Sequence, residues 1–166
     1  MKTSDIIAII ATIIALFSMF ATILQIQYNI KLNRKNHTFD KISELENFLY
    51  SSDSSWKDLI EEIGVLNDQM QVLEYSAVAE IYDNKEKRNI LYAILNYFES
   101  LSLAVFTKNI DERILKKIYG KRIHRAFIKL HPFITLIAAN YHDPQYKPYQ
   151  HFERLFMKWD KSHGGK

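Results

Sequence analysis

Between residues 107 and 131 the chain carries Lys108, Arg113, Lys116, Lys117, Lys121, Arg122, Arg125 and Lys129 against only Asp111 and Glu112, a local net charge of +6. Cations packed this densely repel one another unless an anion relieves them, so the segment points to a negatively charged partner. Helical spacing of three and four brings Lys117, Lys121 and Arg125 to one face, with Arg122 beside them and Lys129 one turn on. Such a face suits the phosphates of a nucleotide, RNA or an anionic lipid. It equally suits the acidic part of the same or a neighbouring subunit, because residues 40–86 carry a net charge of −9. Double-stranded DNA is not an expected partner.

Tyrosines border the basic run. A base stacks on an exposed ring for about 1–3 kcal/mol, so Tyr119 joins the four cations and Lys129 as a candidate ligand residue, with Tyr146 and Tyr149 open to either role. Phe98 and Phe127 lie on apolar faces and belong to the core. Four histidines, His124, His131, His142 and His151, have no spacing that places two metal ligands on one helix turn. The chain has no cysteine, which excludes thiolate zinc sites, iron–sulfur ligation and cysteine nucleophiles. No metal, cofactor or catalytic residue is expected.

The elements that must hold this face start with an anchor. From Ile6 to Leu24 the sequence has no charge, and 19 residues at about 1.5 Å each match the hydrocarbon core of a bilayer. The stretch is too long for the apolar part of a cleavable signal and has no Ala-x-Ala site after it. Lys31, Arg34 and Lys35 follow it, whereas Lys2 and Asp5 offset one another before it. The positive-inside rule then puts the amino terminus outside, one span in the inner membrane and the body in the cytoplasm. Within the span Ala8, Ala11, Ala15, Ser18 and Thr22 recur at threes and fours between Ser4 and Gln25, a stripe of small side chains suited to self-association.

Few Gly and Pro and many Leu, Ile, Lys and Glu make the class all-α, with about five to seven helices after the anchor. The division expected is residues 1–36 for anchor and basic flank, 37–160 for the body and 161–166 for a frayed tail. Apolar periodicity predicts a stalk to Tyr50, a helix from Ser55 capped with Asp58 and running past Leu66 and Met70 to Leu73, and a short segment at 75–82. A central core helix follows at 88–106, then a helix capped by Asp111. Gly120 marks either its end or a close contact. Pro132 either starts a new helix or kinks one reaching Tyr141, and Pro148 opens the last helix after a loop at 142–146.

The order Leu95-Asn96-Tyr97-Phe98-Glu99, Asn109-Ile110-Asp111-Glu112, Tyr119-Gly120, Leu130-His131-Pro132-Phe133-Ile134 and Tyr149-Gln150-His151-Phe152-Glu153-Arg154-Leu155 with Trp159 resembles an uncharacterised family of small bacterial proteins. They have one amino-terminal membrane helix and a helical body. The layout is also similar to CRISPR-associated type III membrane effectors, which sense cyclic oligoadenylate. That resemblance implies a non-enzymatic, homo-oligomeric effector of antiviral defence, with a cyclic oligonucleotide and the lipid bilayer as partners. A membrane-tethered adaptor for a protein partner is the alternative. Arg125 to His131 is also similar to the Arg-x(4–6)-His motif of the all-α ribonucleases of the higher-eukaryote-and-prokaryote nucleotide-binding superfamily, which implies RNA cleavage by Arg125 and His131. Ala126 after the arginine and Pro132 after the histidine depart from that pattern.

Overall fold

The computed structural model describes residues 3–51, 53–65, 72–141, 145 and 147–161, which form six α-helices and no strand. They are α1 (Thr3–Leu49), α2 (Ser54–Ile63), α3 (Tyr75–Asp83), α4 (Lys85–Phe106), α5 (Glu112–Asn140) and α6 (Gln150–Asp160). The all-α class and the helix count agree with the sequence. Leu66, Met70, His142, Tyr146, the tail from 162 and the side chain of Ala8 lie outside the described residues.

The 47 residues of α1 rise about 70 Å without a break, so the boundary expected at residue 36 falls in mid-helix. Its two ends differ in surroundings. From Ile10 to Ile30 apolar side chains are exposed all round the helix, Phe17 at 73% and Met19 at 63% among them. Thr38, Ile42, Leu45 and Leu49, spaced four and three apart, are buried against the body. By length and composition the first part is a candidate membrane span.

A second helix, α4, is also long and apolar enough to cross a membrane. Its place in the fold argues against that. It is the hub on which α2, α3, α5 and α6 pack, and Leu91, Ile94, Leu95, Phe98, Leu101 and Val105 are buried in those contacts. Asn84 starts it by accepting the Glu86 and Lys87 backbone N–H groups at 3.0 and 3.1 Å.

Other helix limits depart from the sequence expectation for local reasons. Asp53, not Ser55, caps α2, taking the Trp56 N–H at 3.2 Å. Gly64, in the left-handed region at φ 71°, stops α2 where the apolar pattern predicts continuation, so Leu73 lies in the connection before α3. Pro132 sits inside α5, which continues to Asn140. Pro148 precedes α6 instead of opening it, because Tyr149 at φ 57° turns the chain first.

The Tyr97-Phe98-Glu99 run ties three helices together. Tyr97 donates its hydroxyl to the Lys41 carbonyl on α1 at 3.1 Å and stacks on Phe48, with ring centroids 4.4 Å apart. Phe98 stacks on Phe152 of α6 at 4.9 Å. Glu99 accepts the backbone N–H of His151 and of Phe152, at 3.2 and 2.9 Å, and contacts His151 Nδ1 at 2.6 Å. It thereby caps α6, whose own N-cap residue makes no side-chain bond. A polar run on the hub helix is thus accounted for by assembly.

Two outcomes follow from this arrangement. Glu99→Ala strands two helix-terminal donors and should cost about 1–3 kcal/mol, lowering the melting temperature, while Glu99→Gln retains part of the cap. Glu112 takes the Trp159 indole N–H at 2.9 Å and the Lys158 ammonium at 2.6 Å. Burial opposes its charge, but these two donors outweigh burial and hold its carboxyl below the ordinary 4.5. Its stabilisation is therefore present above pH 4.5 and lost as pH falls through the depressed value, so the melting-temperature gap between wild type and Glu112→Gln should shrink on acidification.

Candidate functional site

The basic run folds as the first half of α5, which Asp111 starts by accepting the Arg113 and Ile114 N–H groups at 2.9 and 3.4 Å. Leu115, Tyr119, Ile123, Ala126 and Phe127 turn into the core. That leaves Lys117, Lys121, Arg122 and Arg125 on the outer side, where with Lys116, Ile118 and Gly120 they line a shallow groove of about 380 Å³. Gly120 leaves it open at the middle: a Cβ there would lie 3.2 Å from the Lys116 Cγ. None of the lining residues is acidic.

The acidic segment does not neutralise this face through Lys117, Lys121 or Arg122, which form no ion pair among the described residues. Glu61 and Glu62 pair instead with Lys57 and Lys87, and Glu44 with Lys41.

Two residues grouped with the cations in the sequence do not share the groove. Lys129 is 4% exposed, because the register that aims Lys121 and Arg125 outward rotates position 129 under the neighbouring helices. Tyr119 is 2% exposed, and its hydroxyl donates to Glu46 of α1. It is therefore a strut between α5 and α1, with no open ring face for a base. The Arg122 guanidinium lies 5.3 Å from its ring centroid, so the groove and the strut are in direct contact. Nothing in the sequence marks Glu46 as the partner, since 73 residues separate them.

The remaining candidates are dispersed. His131 lies in a separate apolar groove of about 350 Å³ with Phe127, Pro132 and Phe156, away from Arg125. His124 Nε2 is 3.2 Å from Asp160, and His151 is held by Glu99. Among the described residues no three His, Asp or Glu side chains come together as a metal site would require. On α1, Ser18 and Thr22 donate their hydroxyls to the Ile14 and Ser18 carbonyls at 2.9 and 2.8 Å. Satisfied within their own helix, they can face lipid or another copy of α1. Ala11 and Ala15 are exposed on the same helix.

The family model described as a domain of unknown function, DUF4760, matches residues 6–159, covering both the apolar end of α1 and the helical body. No curated protein and no solved structure matches the chain.

The strut has a measurable signature. Burial, and then the hydrogen bond to Glu46, push the Tyr119 hydroxyl up to about 12. A raised folded value means that its contribution is whole below the unfolded value of about 10 and is lost as pH rises through 12. Tyr119→Phe should cost about 1–2 kcal/mol at neutral pH and flatten the alkaline fall in stability. Thermal unfolding between pH 8 and 12 checks both.

Proposed function

We propose that the chain, which belongs to the DUF4760 family, is a membrane-anchored sensor: α1 crosses the inner membrane once, the body lies in the cytoplasm, and the α5 groove takes a phosphate-bearing ligand. The observation that carries the proposal is a groove lined by five cationic side chains and no carboxylate, in contact with a side chain that joins α5 to α1. Lys31, Arg34 and Lys35 after the apolar stretch support the cytoplasmic side for the body.

The ligand class is a nucleotide second messenger. A groove of about 380 Å³ is at the small end for a ligand site and open to solvent, so one copy would hold a phosphate and its sugar and leave the rest of a larger molecule exposed. Copies related by an axis would each present Lys117, Lys121, Arg122 and Arg125, which fits a cyclic oligoadenylate with its repeated phosphates. Association of α1 through Ala8, Ala11, Ala15, Ser18 and Thr22 would supply that symmetry. Ligand binding would draw Arg122 from the Tyr119 ring and favour a second packing of the α1 helices, perturbing the membrane as an effector of bacterial antiviral defence. The shift can be no larger than the ligand's preference for that second state.

A second reading, an adaptor for a protein partner, rests on the apolar groove around Phe127, Pro132 and Phe156. The ribonuclease reading would need a second subunit to bring an Arg125 to a His131, because within one chain they line different grooves.

Calorimetry on the full chain in nanodiscs with cyclic tetra-adenylate should show micromolar or tighter binding, weakened at least about tenfold in the Lys121→Ala, Arg125→Ala double variant. Absence of heat at micromolar ligand, or equal binding by the variant, counts against the proposal.

A further inference from the structure

Where α1 leaves its charge-free stretch, the turn between α4 and α5 is fastened to it. Thr38, fully buried, accepts the Asp111 N–H on its Oγ1 at 2.7 Å and donates to the Arg34 carbonyl at 2.7 Å. Lys108, at φ 59°, reverses the chain into this contact. The turn consequently faces the apolar end of α1. Arg113 lines a groove of about 320 Å³ with Gln27, Ile30, Lys31 and Arg34, and Lys108 lines another of about 710 Å³ with Ile30, Asn33 and His37. The Arg113 side chain is 90% exposed, and Asp111, whose Oδ1 is 3.9 Å from its Nε, is the one acidic residue lining either groove.

Depth follows from the helix rise. Residues 6–30 carry no charge and span about 37 Å, against a hydrocarbon core of about 30 Å with roughly 5–7 Å of headgroups on each side. With the core centred on the midpoint of that stretch, Lys31 lies about 20 Å from the midplane, within the headgroup layer. Arg113, sharing a groove with residues 27–34, reaches it too.

We propose that the α4–α5 turn is a second membrane contact, in which Lys108 and Arg113 join Lys31 and Arg34 in holding the phosphates of anionic lipid headgroups. The inference rests on α1 crossing the bilayer, as proposed above. It gives the body a fixed seat on the membrane surface, made by residues more than 70 positions from the span, and the lipid phosphate is the anion because the grooves include apolar Ile30 and open beside the apolar end of α1.

The test uses the chain's lack of cysteine. The full chain with Asn109→Cys, carrying a fluorophore, is reconstituted in phosphatidylcholine vesicles with or without about 30% phosphatidylglycerol and a headgroup-level lipid quencher. Quenching should be at least about twofold greater with the anionic lipid, and the gain should vanish in Lys108→Glu, Arg113→Glu. Equal quenching in both vesicles, or an unchanged gain in the charge-reversed protein, overturns the proposal. So does loss of the gain on adding inorganic phosphate at constant ionic strength, which would assign the site to a free anion. A separate Ala15→Cys label, read with a mid-bilayer quencher, distinguishes the failures: if it is quenched while position 109 is not, the turn contact alone fails, and if it is not quenched, the span fails with it.

Discussion

If α1 crosses the bilayer as proposed, one helix has to satisfy two solvents. From Ile10 to Ile30, α1 exposes isoleucine, leucine, phenylalanine and methionine on every side, an apolar surface far larger than a folded chain leaves in water. From Thr38 onward the same helix buries only a stripe and turns Lys, Glu and Asp outward. Because its backbone bonds are made within the helix, it can pass from hydrocarbon to water without a break. The body then has to attach along the second part, and its attachments are of that kind: Ile42, Leu45 and Leu49 in the core, Thr38 to Asp111, Tyr97 to Lys41, and Tyr119 to Glu46.

These attachments give the basic face its mechanical setting. Arg122 lies on the Tyr119 ring, and Tyr119 reaches α1 through its hydroxyl, so two contacts separate the groove from the helix that carries the apolar segment. The hub helix α4 fixes the geometry from the other side, through Tyr97 to α1 and Glu99 to α6. A rearrangement of α5 against α1 would have to break a half-buried hydrogen bond to a carboxylate, which favours two discrete states over a gradual bend.

Much of this is legible in the residues and some is not. Apolar periodicity places α4 and the body's core faces, and Asp111 as a cap, because those signals are local. The outward aim of Lys117, Lys121, Arg122 and Arg125 also follows from spacing. The same spacing misplaces Lys129 and Tyr119, since periodicity within one helix cannot say where its neighbours cover it. Gly64 as the end of α2 is a local signal hidden beside a longer apolar pattern. The remote cap of α6 by Glu99 and the Tyr119–Glu46 contact span 53 and 73 positions, and no pattern along a single sequence marks such pairs. Membership of a domain family of unknown function is shown for residues 6–159; the bacterial, membrane-anchored character and the type III effector layout enter only through the proposed function.

The central claim is that α1 passes from lipid into the cytoplasm as a continuous helix carrying the body with it. Single cysteines placed one at a time from position 6 to position 49 and probed with a membrane-impermeant maleimide in intact spheroplasts and in inverted vesicles test it directly. The account requires a protected block ending close to Lys31, followed by positions labelled only in inverted vesicles with the periodicity of a half-buried helix. Labelling throughout 6–30 in either preparation, or labelling of positions beyond Lys41 from outside intact spheroplasts, would contradict it.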